Sequence, residues 1–178
     1  MIYVFIAIFV LQIIFFIYAA LKKTDKLTVS DVRFKGKKYL YKALIYKYLK
    51  DSSNAIAYFD SALVSLNNDL QESFKDPEFH INCAIANAGL GNKLSAITKG
   101  ERALDLSEND KLYQNIIIVS IAQVYTMAGS FDNAINALEY LLMNPSWFSV
   151  KLLKLDPAWE PLANIPAFQT LINKYSAI

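Results

Sequence analysis

Cysteine, histidine and excess charge are scarce in this chain of 178 residues, and each scarcity excludes a class of function. The single cysteine, Cys83, excludes an internal disulfide and is compatible with a reducing compartment. Together with the single histidine, His80, it supplies too few ligands for a metal site, which needs a cluster of them. The net charge of +2 is too balanced to predict a nucleic-acid partner.

Catalytic motifs are also absent from the sequence. Gly89 and Gly91 lie as close together as the glycines of a phosphate-binding loop, but they follow no strand pattern and lack the lysine–serine/threonine ending. His80 and Cys83 are one helical turn apart, so a base–nucleophile pair is an open alternative, although packing is the preferred interpretation. We therefore predict a non-enzymatic protein without cofactor, metal or small-molecule substrate.

Charged side chains are missing from residues 1–21, MIYVFIAIFVLQIIFFIYAAL, in which Gln12 is the only strongly polar side chain. A helix of this length spans about 30 Å, which matches the hydrocarbon core of a bilayer. A cleavable signal peptide would carry lysine or arginine before the apolar run, and there is none, although residues 18–20 resemble a cleavage zone. We predict that residues 1–21 form an uncleaved transmembrane anchor.

A basic linker, residues 22–35, follows the predicted anchor. Lysine and arginine in excess beside a span mark the cytoplasmic side of the membrane. The basic side chains here and just beyond are Lys22, Lys23, Lys26, Arg33, Lys35, Lys37 and Lys38. We interpret them as a topology signal, with contact to anionic lipid as an alternative. The sequence thus predicts a single-pass protein with a cytoplasmic domain.

The rest of the chain is built around a pair of helices at residues 118–142, IVSIAQVYTMAGSFDNAINALEYLL. Ala122 and Tyr125 lie one turn apart on one face of the first helix, which Gly129 ends. Ser130 is the predicted N-cap of the second helix, which carries an apolar stripe. Because such a pair cannot bury its apolar face alone, it needs neighbours like itself.

Two further pairs upstream have small residues at the same positions. The second helices carry an alanine at the packing position, at spacings of 41 and 38 residues: Ala55, Ala96 and Ala134. Gly91 matches the turn glycine Gly129, whereas Lys50 stands there in the first pair. The predicted helices are 36–50, 54–66, 77–90, 93–106, 111–128 and 131–143. The predicted N-caps are Ser52 or Ser53, Asp76 and Asp110.

Three helix starts are predicted in the tail, at Asn144-Pro145, Asp156-Pro157 and Pro166. The tail also contains two tryptophans, Trp147 and Trp159, and many large aliphatic side chains. These are too many for a solvated segment. We predict that residues 149–178 form capping helices over the exposed end of the third pair.

The small-residue positions, the aromatic residue three positions on and the turn glycine resemble the tetratricopeptide repeat (TPR) family. The repeat length exceeds the ~34 residues usual there, and Tyr39, His80 and Ile118 replace the usual tryptophan. The motifs LKLDPAWEPL and PAFQTLI are similar to the C-terminal end of bacterial TPR proteins that begin with a serine/threonine kinase, adenylate cyclase or winged-helix regulator domain. This resemblance implies fold and ancestry, and a bacterial inner membrane as the location.

The predicted fold class is therefore all-α. The N-terminal transmembrane helix is followed by a TPR-like α-solenoid of three helix pairs and a short C-terminal helical cap. The pairs are predicted over residues 36–148, as repeats 36–69, 77–110 and 115–148.

By the same resemblance, the first helices of the pairs line a concave groove that binds a partner. The groove positions are Lys37, Leu40, Leu44, Lys47, Tyr48, Glu78, Ile81, Ile85, Ile116, Val119, Gln123 and Met127. This mostly apolar set favours an amphipathic helix or an extended peptide as ligand, unless the chain's own linker or tail fills the groove. The predicted function is a membrane-anchored scaffold that recruits a protein. The alternative is a regulatory or sensory module of a split bacterial signalling system, with a domain that could be extracytoplasmic.

Overall fold

The computed structural model describes residues 19–26, 34–68, 74–144 and 148–176. All regular structure in these ranges is helical, which confirms the predicted all-α class for them. Within the same ranges, no helix is both long and apolar enough to cross a bilayer. The predicted anchor lies outside the described residues except for its last three positions, which begin a helical segment at residues 19–25.

Three antiparallel helix pairs form the body of the protein. They are α1 (Lys35–Tyr48) with α2 (Ser52–Asn67), α3 (Pro77–Gly89) with α4 (Lys93–Leu106), and α5 (Lys111–Ala128) with α6 (Phe131–Met143). Each helix begins and ends within two residues of its predicted position. The pairs pack side by side, because α2 and α3 are in contact, as are α4 and α5.

Side-chain caps fix the start of several helices. The carboxylate of Asp76 accepts a hydrogen bond from the Glu78 amide at 2.8 Å, and that of Asp110 accepts from the Leu112 amide at 3.1 Å. These two caps confirm the prediction. Each satisfies an amide that has no partner inside its helix and places negative charge at the positive end of the helix dipole.

The predicted cap of α2 is wrong. Asp51, and neither Ser52 nor Ser53, is the N-cap, and its carboxylate accepts from the Asn54 amide at 3.1 Å. The helix begins two residues before its predicted start, so both serines lie within its first turn. Ser130 does occupy the N-cap of α6 but makes no hydrogen bond to the backbone of that helix.

Left-handed backbone conformations mark the turn inside each pair. Gly91 and Gly129 have φ values of +80° and +76°, and Lys50, at the glycine position of the first pair, has a φ of +61°. A lysine adopts this conformation at a cost that glycine does not incur. The three turns thus share one conformation despite their different sequences.

Small residues allow the helices to approach closely. Ala96 and Ala134 are fully buried and Ala55 is 5% exposed, as the repeat pattern predicts. One apolar core is formed by the four helices α1, α2, α3 and α4 together with one face of α5. A second core is formed by α5, α6 and the tail. The fold is therefore a continuous stack in which each pair covers the apolar face of the next.

The tail consists of α7 (Val150–Leu155), a 3-10 helix (Pro157–Leu162) and α8 (Pro166–Ser176). The starts at Asp156-Pro157 and Pro166 agree with prediction, although the former opens a 3-10 helix. The helix expected from Asn144-Pro145 begins later, at Val150 after the N-cap Ser149; residues 145–147 lie outside the described part.

Candidate peptide-binding cavity

The first helices of the three pairs run parallel and enclose a concave surface. Near their starts, Lys37 Nζ lies 2.5 Å from Glu78 Oε1 and joins α1 to α3. Near their ends, Gln123 Nε2 donates a hydrogen bond of 2.8 Å to the Tyr48 hydroxyl and joins α5 to α1. These two polar contacts bracket the apolar surface between them.

A cavity of about 380 Å³ lies between the brackets. It is lined by eight of the twelve predicted groove residues: Lys37, Leu40, Leu44, Glu78, Ile81, Ile85, Ile116 and Gln123. It also contains five residues that the sequence did not predict: Tyr41, Asn82, Tyr113, Ile117 and Ser120. Each of these five residues lies within three positions of a predicted groove residue on the same helix. The cavity is therefore lined by a wider face of each helix than the repeat positions predict.

The pKa values of Lys37 and Tyr48, which form the two polar contacts, are shifted because both side chains are partly buried. Burial is the largest single effect and disfavours the charged form of Lys37, but the hydrogen bonds and charge interactions with Glu78 and Tyr41 together outweigh it and raise the lysine pKa. Burial raises the pKa of Tyr48 to about 12, so its hydroxyl stays neutral and accepts from Gln123. The Lys37–Glu78 and Gln123–Tyr48 contacts therefore both persist at neutral pH.

Asn82 gives the cavity an unsatisfied polar group. Its side chain is 5% exposed, and its Nδ2 atom has no hydrogen-bond partner. Asn87, on the same helix, is also buried, but its Nδ2 donates to the Cys83 carbonyl at 2.8 Å. An unpaired buried amide costs about 1–3 kcal/mol. Because Nδ2 is enclosed in the cavity wall, it can pair with an acceptor on a ligand only if the Asn82 side chain rotates.

The four remaining predicted groove residues lie elsewhere. Lys47, Tyr48 and Met127 line a second cavity of about 400 Å³, together with Gln123. The 3-10 helix of the tail closes that cavity with Pro157, Ala158, Glu160 and Pro161. Val119 is half-buried against the second core and lines neither cavity. At this end, the chain's own tail occupies the concave face.

His80 and Cys83 are not arranged as a base–nucleophile pair in the described part of the chain. Nε2 of His80 lies 2.8 Å from the carbonyl oxygen of Phe74, and no hydrogen bond joins the ring to the Cys83 thiol. Cys83 is 2% exposed, and burial raises its pKa to about 11. The thiol is therefore protonated and shielded from substrates.

We expect the Cys83 thiol to be unreactive in the native protein. A buried thiol with a raised pKa forms little thiolate, which is the reactive species. In titration with a disulfide reagent, the folded chain should release chromophore only at its rate of unfolding, and in denaturant it should react at once. Fast stoichiometric reaction of the folded chain would contradict this expectation and support a catalytic role for Cys83.

Stability should fall as the pH drops below about 6.5, because of His80. Burial lowers the pKa of its imidazole below the ordinary 6.5, and it does so more than the hydrogen bond to Phe74 raises it. The unfolded chain then takes up a proton before the folded chain does. This contribution to stability is complete above the unfolded pKa and declines below it, by at most about 1.4 kcal/mol per pH unit.

Urea unfolding at about pH 7.5 and 5.5 measures this effect above the range in which most carboxylates titrate. His80→Gln is the matched control, because glutamine can still donate to Phe74 without titrating in this range. The variant should lose most of the pH dependence of the native chain. If the free energy of unfolding depended on pH equally in both proteins, groups other than His80 would be responsible.

Within the described residues, no group of three or more histidine, cysteine, aspartate or glutamate side chains could hold a metal ion.

Comparison with known proteins adds no family assignment, since no family model, no curated protein and no solved structure matches this chain. The candidate function therefore rests on the cavity itself.

Proposed function

We propose that this protein is a non-enzymatic, membrane-anchored scaffold of the tetratricopeptide-repeat type, whose concave cavity binds an extended peptide segment of a protein partner. The observation that carries the proposal is the unpaired Asn82 amide in the wall of a mostly apolar cavity. Apolar walls bind side chains, and a single unpaired amide orients what is bound.

The Asn82 amide favours an extended peptide over a helix as ligand. In a helix, the backbone amides and carbonyls are bonded to one another, apart from those at the ends. An extended segment keeps free carbonyl oxygens that can accept from Nδ2 once the enclosed Asn82 amide rotates towards the ligand, and it sends alternate side chains towards the apolar walls. Binding would thus relieve the unfavourable burial of this amide.

Membrane attachment is supported by the uncharged run of residues 1–21 and the lysines that follow it. The excess of basic residues after the run favours a cytoplasmic domain. Protease added to intact cells should leave a cytoplasmic domain undigested and should digest it after lysis. Digestion in intact cells would place the domain on the other side of the membrane.

Selection from a displayed library of random linear peptides tests the cavity. The bait is the full chain in lipid nanodiscs, and the dissociation constants of selected synthetic peptides are measured by fluorescence anisotropy. Asn82→Leu should weaken binding about tenfold, which corresponds to the loss of one hydrogen bond of about 1.4 kcal/mol. The same variant should be as stable as the native chain or more stable, because leucine leaves no unpaired polar atom.

Asn136→Leu is the matched control, since Asn136 is exposed on α6 away from the cavity. It should leave the affinity unchanged. Selected peptides that bind the native chain and Asn82→Leu equally would show that the cavity is not the binding site. An unchanged affinity in Ile116→Glu, which places a charge at the exposed rim of the cavity, would show the same.

A further inference from the structure

Residues 19–25 form a helical segment whose contacts place it antiparallel to α1. Near its C-terminal end, Asp25 forms an ion pair with Lys42, and its carbonyl oxygen accepts from Lys38 Nζ at 2.9 Å. Towards its N-terminal side, Ala20 lies beside Tyr48, at the end of α1. The segment is thus docked on α1.

A cleft of about 410 Å³ separates this segment from α1. Its walls are Ala20, Lys23, Thr24, Tyr41, Leu44, Ile45 and Tyr48. The hydroxyls of Thr24 and Tyr48 are already hydrogen-bonded, to the Leu21 carbonyl at 2.7 Å and to Gln123 at 2.8 Å. The interior of the cleft therefore consists mainly of hydrocarbon and ring carbon.

This chemistry differs from that of the concave cavity. A peptide in the cleft would bury backbone amides and carbonyls against walls that offer them no partner, at a cost of about 1–3 kcal/mol for each unpaired group. An acyl chain has no polar groups and incurs no such cost. The cleft consequently favours a lipid tail over a peptide.

Lys23 lines the cleft, and Lys22 and Lys26 are its neighbours on the same short segment. Lys22, Lys23 and Lys26 are exposed, and none of them forms an ion pair with another described residue. Ten of the 18 lysines and arginines lie in residues 1–50, with only two of the 16 acidic residues. The N-terminal part of the sequence, which includes the segment beside the cleft, is thus net basic and would attract an anionic headgroup.

We propose that the cleft between residues 19–25 and α1 binds an acyl chain of an anionic phospholipid, whose headgroup contacts Lys22, Lys23 and Lys26. The inference rests on the proposed membrane attachment, since the cleft begins where the apolar run of residues 1–21 ends. A bound lipid would hold α1, and with it the concave cavity, close to the bilayer surface.

Lipid retention by the full chain tests the proposal. The chain is reconstituted in vesicles of equal parts phosphatidylglycerol and phosphatidylcholine, extracted in mild detergent, and analysed by native mass spectrometry for bound lipid. Phosphatidylglycerol should be retained in preference to phosphatidylcholine. Because each lysine near an anionic surface is worth about a fivefold change in binding, the triple variant Lys22→Gln, Lys23→Gln, Lys26→Gln should reduce this preference at least about tenfold.

Two variants address the acyl chain. Ile45→Asp places a charge in the wall of the cleft, and Ala20→Trp fills the cleft from the N-terminal segment; both should lower the amount of retained lipid severalfold. Val64→Asp is the matched control, because Val64 is 57% exposed on α2 and lines no part of the cleft. Native melting temperatures identify any variant that has unfolded, in which case the other variant decides.

The outcomes separate the lipid site from the proposed function. A chain that floats with the vesicles and retains both lipids in their bulk ratio, without response to the lysine variant, overturns the lipid site alone. Equal retention by Ala20→Trp, Ile45→Asp and the native chain also overturns it. A chain that does not float with the vesicles overturns the membrane anchor and the lipid site together.

Discussion

Trp159→Ala should lower the free energy of unfolding by about 3–5 kcal/mol, the range for removing a large aromatic side chain from a core. Trp159 is 2% exposed and belongs to the second core, with Ala134, Leu138 and Phe168. Its ring also meets Phe148 edge-on at a centroid distance of 6.4 Å. The substitution therefore removes contacts between the tail and the third pair.

Trp159→Phe and Leu155→Ala are the controls for this prediction. The indole Nε1 of Trp159 has no hydrogen-bond partner, so phenylalanine loses packing area but no hydrogen bond, and it should cost about 1–2 kcal/mol. Leu155 is 70% exposed and should tolerate alanine with a change below about 0.5 kcal/mol. Urea unfolding followed by circular dichroism measures all three. A loss below about 1 kcal/mol in Trp159→Ala would show that the tail is not part of the core.

Gly89→Ala should destabilise the protein by about 3 kcal/mol, although alanine favours helix over glycine by about 1 kcal/mol. A Cβ atom at Gly89 would lie 2.3–2.5 Å from three ring carbons of Phe59. Phe59 is 1% exposed, so its ring has little room to move away. The packing penalty at this contact between α2 and α3 therefore outweighs the gain in helix propensity.

Gly91→Ala separates this packing effect from backbone strain. Gly91 has a positive φ, but a Cβ atom there would meet nothing within 4 Å. Alanine at this position should cost about 1–2 kcal/mol, the penalty for the left-handed conformation. Thermal or urea unfolding of the two variants gives the comparison. If Gly89→Ala were the more stable of the two, the close approach of α2 to Gly89 would be wrong.

The helix pairs could be predicted because their determinants are local. The turn glycines, the Asp-Pro starts and the alanine positions each act within a few residues along the chain, and all of them recur. Lys50 could be assigned to a turn only by comparison with Gly91 and Gly129, since lysine itself is not typical of a left-handed turn.

The contacts of the tail with the concave face could not be predicted in the same way. Lys50 Nζ lies 2.7 Å from Glu160 Oε1, a contact between residues 110 positions apart. Periodicity in the sequence carries no information about such pairs. Asn82 was missed for a related reason: its position on α3 predicts burial, but its unpaired amide follows only from which groups the neighbouring helices place around it.

Stacked repeats usually contact only their nearest neighbours, so their ends can fray independently of the middle. In this protein, Tyr48 of the first pair packs against the second core and bonds to Gln123 of the third. The two ends are thereby coupled, and the domain should unfold in one concerted transition.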